Sequence, residues 1–185
     1  FTETLLDTFP HQLEVAYLVN SGSEANELAM RLAKNYTGQN DMIAVEHGYH
    51  GNTQSCIDIS HYKFNGAGGK GRPAQVKIIP VPDVYRGQFR QDTPETARRY
   101  AATLAEAIDN IRKEGRSAAA FICESVISCG GQVCLPAGYL KACVEHIHAA
   151  GGLYIADEVQ TGCGRNGAYF WEFQAHGVVP DIVTI

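Results

Sequence analysis

The sequence has no C-x-x-C, no zinc-type cysteine spacing, no basic tract and no apolar run near the ~18 residues that a membrane-spanning helix needs. Each absence closes a class. The six cysteines (Cys56, Cys123, Cys129, Cys134, Cys143, Cys163) are scattered among apolar and small residues, which predicts reduced, buried thiols in a cytosol-like compartment. A formal net charge of −5 with no basic cluster argues against nucleic acid and anionic membranes as partners. The opening residues, FTETLLDTFPHQ, lack the basic start and apolar core of a signal peptide, and without an initiator Met they suggest a cut piece. A cytoplasmic location is the expectation, with a mitochondrial one left open. What remains is ordinary globular material, 185 residues with 45% hydrophobic and 19% charged, enough for one domain or part of a larger one.

The pattern alternates between apolar runs and amphipathic stretches. Strand-like runs fall at 13–19 (LEVAYLV), 42–45, 76–81, 118–123, 153–156 and 181–185. Between them, Ala25, Leu28, Ala29, Leu32, Ala33 and Tyr36 repeat at helical spacing over 24–36. Thr93-Pro94 opens a second helix that runs to about Glu114, with Thr93 as cap and Pro94 in the first turn. A third occupies 137–150 and stops at Gly151-Gly152. Strands apolar on both faces and alternating with helices predict an α/β fold, a mainly parallel sheet sandwiched by helices. The glycine-rich segment 65–73 (NGAGGKGRP) reads as a surface loop.

In such sheets ligands bind beyond the carboxyl ends of the strands. Four polar clusters sit at such ends: Asn20-Ser21-Gly22-Ser23, Glu46-His47-Gly48-Tyr49, Glu124-Ser125 and Asp157-Glu158. An apolar strand ending in Asp-Glu also suits a magnesium nucleotide site, but that chemistry needs a G-x-x-x-x-G-K-[ST] loop. GAGGKG at 66–71 puts Gly71 where the magnesium-binding hydroxyl belongs, so that reading fails. Ser21 to Glu24 has capping-box spacing, and Gly22 with the hydroxyls of Ser21 and Ser23 beside free helix N–H groups makes an anion site. The same residues also serve as a plain helix cap. Tyr49, between Gly48 and His50-Gly51, presents an aromatic face to a flat ligand or simply occupies a surface turn. No acid or cysteine completes a ligand set with His47 and His50, so no metal site is expected.

SGSEANELAMRLA, HGYHG, ADEVQTGCGR and PDIVTI, in this order, resemble the class III (subgroup II) aminotransferases, which use pyridoxal 5′-phosphate (PLP) on the type I fold. The resemblance runs from about Tyr17 to Ile185 and makes residues 1–185 the central part of the PLP-binding large domain, without the small domain. It implies that Ser21, Gly22 and Ser23 take the cofactor phosphate and that Tyr49 stacks on the ring with His50 beside it. Val159 covers the other face, Gln160 bonds the 3′ oxygen, and Glu124 lines the substrate side. Asp157 pairs with the ring nitrogen and keeps it protonated, which makes the ring an electron sink. The resemblance assigns nothing to Glu158. It further implies a small amine or amino-acid substrate and a homodimer.

Ser125 stands where the family usually has proline. With HYKF (61–64), PDVYRG (82–87) and PAGYL (136–140), this is similar to the phospho-lyase branch, which eliminates phosphate from phosphoethanolamine or phosphohydroxylysine. An ω-aminotransferase is the alternative, and a non-catalytic interaction module is a second. Arg86 and Arg90 are candidate phosphate partners, although exposed arginines more often form surface ion pairs. Cys163 replaces an aromatic residue in the TGFGR turn. The Schiff-base lysine of the family is expected about two residues past Ile185, outside the chain, so the 185 residues alone are expected to be inactive.

Overall fold

A computed structural model describes residues 1–185. The chain runs α1 (Thr2–Leu6), α2 (Gly22–Thr37), β1 (Asp41–Val45), α3 (Gln54–Ile59), α4 (His61–Phe64), β2 (Val76–Ile79) and α5 (Pro94–Lys113). It continues through β3 (Ala118–Glu124), a small antiparallel ribbon of β4 (Val126–Ile127) and β5 (Val133–Cys134), α6 (Tyr139–Ala149), β6 (Leu153–Asp157), a 3₁₀ turn (Glu172–His176) and β7 (Ile182–Thr184). Five strands form one parallel sheet in the order β2-β1-β3-β6-β7. The expected α/β architecture is the one found.

Side chains alternate across this sheet, and both faces are buried. Ile43, Val45, Phe121, Cys123, Tyr154 and Ala156 join the cluster under α5 and α6. Met42, Ala44, Ala120, Ile122 and Ile155 join the one that holds Ala29, Met30 and Ala33 of α2 with Cys56 and Ile59 of α3. The connections bring α2 and α3 to one face and α5 and α6 to the other. Each element follows from local chemistry. Ser21 caps α2 by accepting from the Glu24 N–H at 3.2 Å, and Gly38, at φ +68°, ends it. Thr93 caps α5 in the same way, with Pro94 in its first turn.

The chain goes from β1 outward to β2 and then returns past β1 to β3, so the direction of winding reverses between β1 and β3. Loops that leave adjacent strands on opposite sides of such a reversal open a crevice at the carboxyl ends. The loop after β1 carries Tyr49 and His50, and the loop after β3 carries Ser125 and Ser128.

Two expectations fail. Residues 13–19 form no strand; they run as an extended segment with Val15 74% and Leu18 71% exposed. No strand pairs with their backbone, and period and apolarity alone cannot supply a ladder partner. The segment instead forms one wall of an apolar trench of about 350 Å³, whose other walls are α1, α2 and β7. Nor are all cysteines buried. Cys56, Cys123 and Cys143 are, but Cys129 and Cys163 lie on exposed loops and Cys134 on the solvent side of the short ribbon; all six are free thiols. The segment 65–73 is an exposed loop, apart from half-buried Pro73.

Candidate active site

The register of the sheet lines up three polar residues. Glu124 at the end of β3 is opposite Asp157 at the end of β6, and Asp157 is opposite Thr184 at the end of β7. Asp157 is buried. Its Oδ2 accepts from His50 Nδ1 at 2.8 Å and from Asn26 Nδ2 at 2.8 Å, while its Oδ1 accepts only from the Val159 N–H at 3.1 Å. A buried carboxylate is costly unless its oxygens are bonded, and here one oxygen is saturated while the other keeps an acceptor direction free. Burial pushes the His50 imidazole down, but the bond to Asp157 and its charge outweigh this and hold its pKa above the ordinary histidine value. His50 Nε2 is buried and has no partner in the protein.

The N-terminus of α2 faces the same region. Gly22 and Ser23 are its first two residues, and their N–H groups have no acceptor in the chain. Glu24 donates its N–H to Ser21 but turns its carboxylate to Asn20, accepting from the Asn20 N–H at 2.6 Å; the reciprocal capping-box bond goes one residue further back than the spacing implied. Ser23 Oγ accepts from the Asn52 N–H at 3.0 Å, which ties the start of α2 to the loop after His50. Two close approaches require glycine. A Cβ on Gly22 would lie 2.8 Å from both Val159 methyls, and one on Gly51 (φ +124°) would lie 2.5 Å from Ser23 Oγ.

Tyr49 is half-buried, and its N–H donates to Glu124 Oε1 at 3.1 Å, across the crevice between the two loops. Glu124 Oε2 accepts from the Ser128 N–H at 3.1 Å and from the Ser128 hydroxyl. Glu124 is therefore a buried carboxylate engaged by protein donors at both oxygens. Val159 is 48% exposed above Gly22, and Gln160 is exposed with no hydrogen-bond partner. His47, at φ +62°, is exposed and donates its N–H to His61 Nδ1 at 3.0 Å, away from His50.

Sequence reasoning missed three participants. Asn26 is buried inside α2, a burial that the sequence alone does not display. Thr184 looked like one more residue of an apolar strand. The resemblance gives Glu158 no role, and its surroundings supply one. Glu158 Oε1 accepts from the Phe173 N–H at 3.0 Å and from the Ser125 hydroxyl, and its Oε2 accepts from the Glu172 N–H at 2.8 Å. The carboxylate thus caps the 3₁₀ turn and ties it to the end of β3. His176 of the same turn closes the circuit with a 3.2 Å bond from Nε2 to the Ser125 carbonyl. Ser125, in place of the usual proline, supplies the hydroxyl that Glu158 binds. Burial pushes the Glu158 carboxyl above its ordinary range, against the pull of Ser125 and the two backbone donors.

Among cations near the crevice, Lys63 is half-buried without a carboxylate partner, its Nζ 5.3 Å from the Tyr49 ring centroid. Arg86 is exposed and paired with Asp83 at 3.3 Å, and its guanidinium leans toward Gly131. Arg90 is exposed.

Known proteins are similar to this chain in sequence and in fold. The family model Aminotransferase class-III matches residues 1–185. The chain is 45% identical over 185 residues to "Alanine--glyoxylate aminotransferase 2-like" of Drosophila melanogaster, covering 98% of this chain and 37% of that protein. It is 39% identical to "Ethanolamine-phosphate phospho-lyase homolog 1" of Caenorhabditis elegans, covering 99% and 41%. A solved phospholyase from Arthrobacter in complex with phosphoethanolamine superposes with a TM-score of 0.87 at 36% identity, over 98% of this chain and 42% of that one. A PLP-bound amine transaminase from an uncultivated Pseudomonas species superposes at 0.84 with 27% identity, covering 98% and 42%. The chain thus spans about two fifths of the length of these relatives. By the match over its whole length, the chain belongs to the class-III aminotransferase family.

Proposed function

We propose that the site at the ends of β1, β3 and β6 binds PLP and that the whole protein is a phospho-lyase, eliminating phosphate from a phosphorylated amine. One observation carries the cofactor reading: a buried carboxylate, Asp157, has Oδ2 saturated and Oδ1 still able to accept, in the same crevice as the unpaired N–H groups of a helix N-terminus. The donor set fits the cofactor at both ends. Oδ1 of Asp157 matches a protonated pyridine nitrogen, and the pair neutralises itself out of water. The N–H groups of Gly22 and Ser23, with the Ser21 hydroxyl nearby, match a phosphate. PLP, when bound, supplies an electron sink for a carbanion formed beside the substrate nitrogen.

The rest is done by the chain. Asp157 keeps the ring nitrogen protonated, and His50 holds Asp157 in place. Tyr49 and Val159 would bound the two faces of the ring, and Gln160, exposed and without a partner, would reach its 3′ oxygen. Glu124, placed on the substrate side by resemblance, acts through the Tyr49 and Ser128 N–H groups to fix the loops that border the substrate. A substrate phosphate needs cations. Lys63, lacking a carboxylate partner and close to Tyr49, is the first candidate; Arg86, on the flank of Gly131, is the second.

The names of two relatives favour the lyase, since a phospho-lyase and a phosphoethanolamine complex match here. The Drosophila relative favours an aminotransferase instead. Phosphoethanolamine supplied to the full-length protein separates the two. Release of inorganic phosphate with no α-keto acid present is the outcome expected of the lyase. A strict requirement for a keto-acid acceptor contradicts it and assigns the protein to the transaminases, and inertness toward both kinds of substrate leaves an interaction module. A homodimer and a cytoplasmic or mitochondrial location complete the proposal; no helix is long and apolar enough to cross a membrane.

A further inference from the structure

We propose that Asn26 and Thr184 are positioning residues for Asp157: the Thr184 hydroxyl fixes the Asn26 amide, and the amide occupies one carboxylate oxygen so that only the other meets the cofactor nitrogen. The inference rests on the PLP reading and deepens it.

The geometry leaves little freedom. Asn26 Nδ2 lies 2.9 Å from the His50 carbonyl and 2.8 Å from Asp157 Oδ2, and both of these groups can only accept. The amide nitrogen must therefore face them, and the amide oxygen must face Thr184 Oγ1, 2.8 Å away. That oxygen can only accept, so the Thr184 hydroxyl donates. Asn26, Asp157, His50 and Thr184 are all buried, and burial strengthens these bonds. With His50 Nδ1 as its second donor, Oδ2 of Asp157 has no acceptor direction left. The free direction on Oδ1 is thus set by three side chains from α2, the loop after β1 and β7, and not by Asp157 alone.

Thr184 has a distinct place in this chain of bonds. It sits opposite Asp157 in the sheet register, yet its hydroxyl reaches Asp157 only through Asn26. Without that donor, the Asn26 oxygen is buried and unsatisfied, and the amide gains a reason to rotate. A rotated amide points its oxygen at the Asp157 carboxylate, which repels it. A loss at Thr184 is therefore read at Asp157, one residue removed.

The test uses the full-length protein with PLP carrying ¹⁵N in its ring, and the variants Thr184→Val, Thr184→Ser, Asn26→Leu and the double variant. Thr184→Val keeps the shape and removes the donor; Thr184→Ser keeps the donor. The expected result for Thr184→Val is a ring ¹⁵N resonance shifted toward the unprotonated pyridine, with PLP affinity weakened roughly tenfold. Thr184→Ser should retain the wild-type values, and adding Thr184→Val to Asn26→Leu should change nothing further, because Thr184 acts through Asn26. A merely structural role would lower the melting temperature without moving the ring resonance. If the wild type binds PLP and Thr184→Val leaves both resonance and affinity unchanged, or if the two substitutions add, the inference is wrong while the cofactor reading stands. If the wild type binds no PLP, the cofactor reading itself fails.

Discussion

Asp157 and Glu158 are adjacent in sequence, yet their carboxylates do different work. The side chain of Asp157, on the last position of a parallel strand, turns into the crevice and keeps an open oxygen. The side chain of Glu158 turns toward the 3₁₀ turn and is consumed by the Ser125 hydroxyl and two backbone N–H groups. Glu158→Ala should therefore cost about 2–4 kcal/mol, since it leaves a buried hydroxyl, the buried Phe173 N–H and the part-buried Glu172 N–H without an acceptor. At this chain size a thermal scan would show roughly a 5–15 °C drop in Tm. Glu158→Gln should lose less, because one acceptor oxygen survives. The His50–Asp157 pair yields a pH dependence with a definite sign. Its contact with Asp157 raises the His50 pKa above the unfolded value of about 6.5. The stability it contributes is then complete below that value and is lost as pH rises through the folded pKa. His50→Gln should accordingly destabilise the protein more at pH 6 than at pH 9, as measured by denaturant titration of the apoprotein.

At the scale of elements, the start of α2 fits closely against the loop after β6. Gly22→Ala drives a methyl into Val159, with contacts of 2.8 Å to both Cγ atoms. Val159 is exposed and free to move, so the fold should survive while the surface proposed to face the ring shifts. We expect PLP affinity to fall about tenfold and to recover in part when Val159→Ala is added, as followed by cofactor titration. The elements themselves were largely legible in the sequence. Helical spacing marked α2, α5 and α6, and both-face apolarity marked β1, β2, β3, β6 and β7. Residues 13–19 carried the same apolar signal and form no strand, because a strand needs a neighbour and sequence pattern reports only burial. The loops after β1, β3 and β6 were legible as strand ends, whereas the Ser21-Gly22-Ser23 stretch follows an extended segment and not a strand. Asn26 and Thr184 were not, because each sits inside a regular element and reaches the site only through tertiary contact. The Ser125–Glu158 bond was hidden for the same reason: its partners are 33 residues apart.

At the scale of the molecule, the candidate site borders the reversal in the winding of the sheet. Three loops and one helix start converge there, and each is tied to another by a hydrogen bond across the gap: Tyr49 to Glu124, Ser23 to Asn52, Asn26 to Asp157. Three layers built from two buried clusters hold those loops, and the acid at the end of β6 is fixed from both sides. The proposed role of this acid is to hold the ring nitrogen of PLP, and it is tested by titrating the full-length protein with PLP and following the visible band at about 410–420 nm. A saturable band is expected in the wild type and its loss in Asp157→Ala, with the variant still folded by circular dichroism. An undiminished band and unchanged affinity in that variant would contradict it.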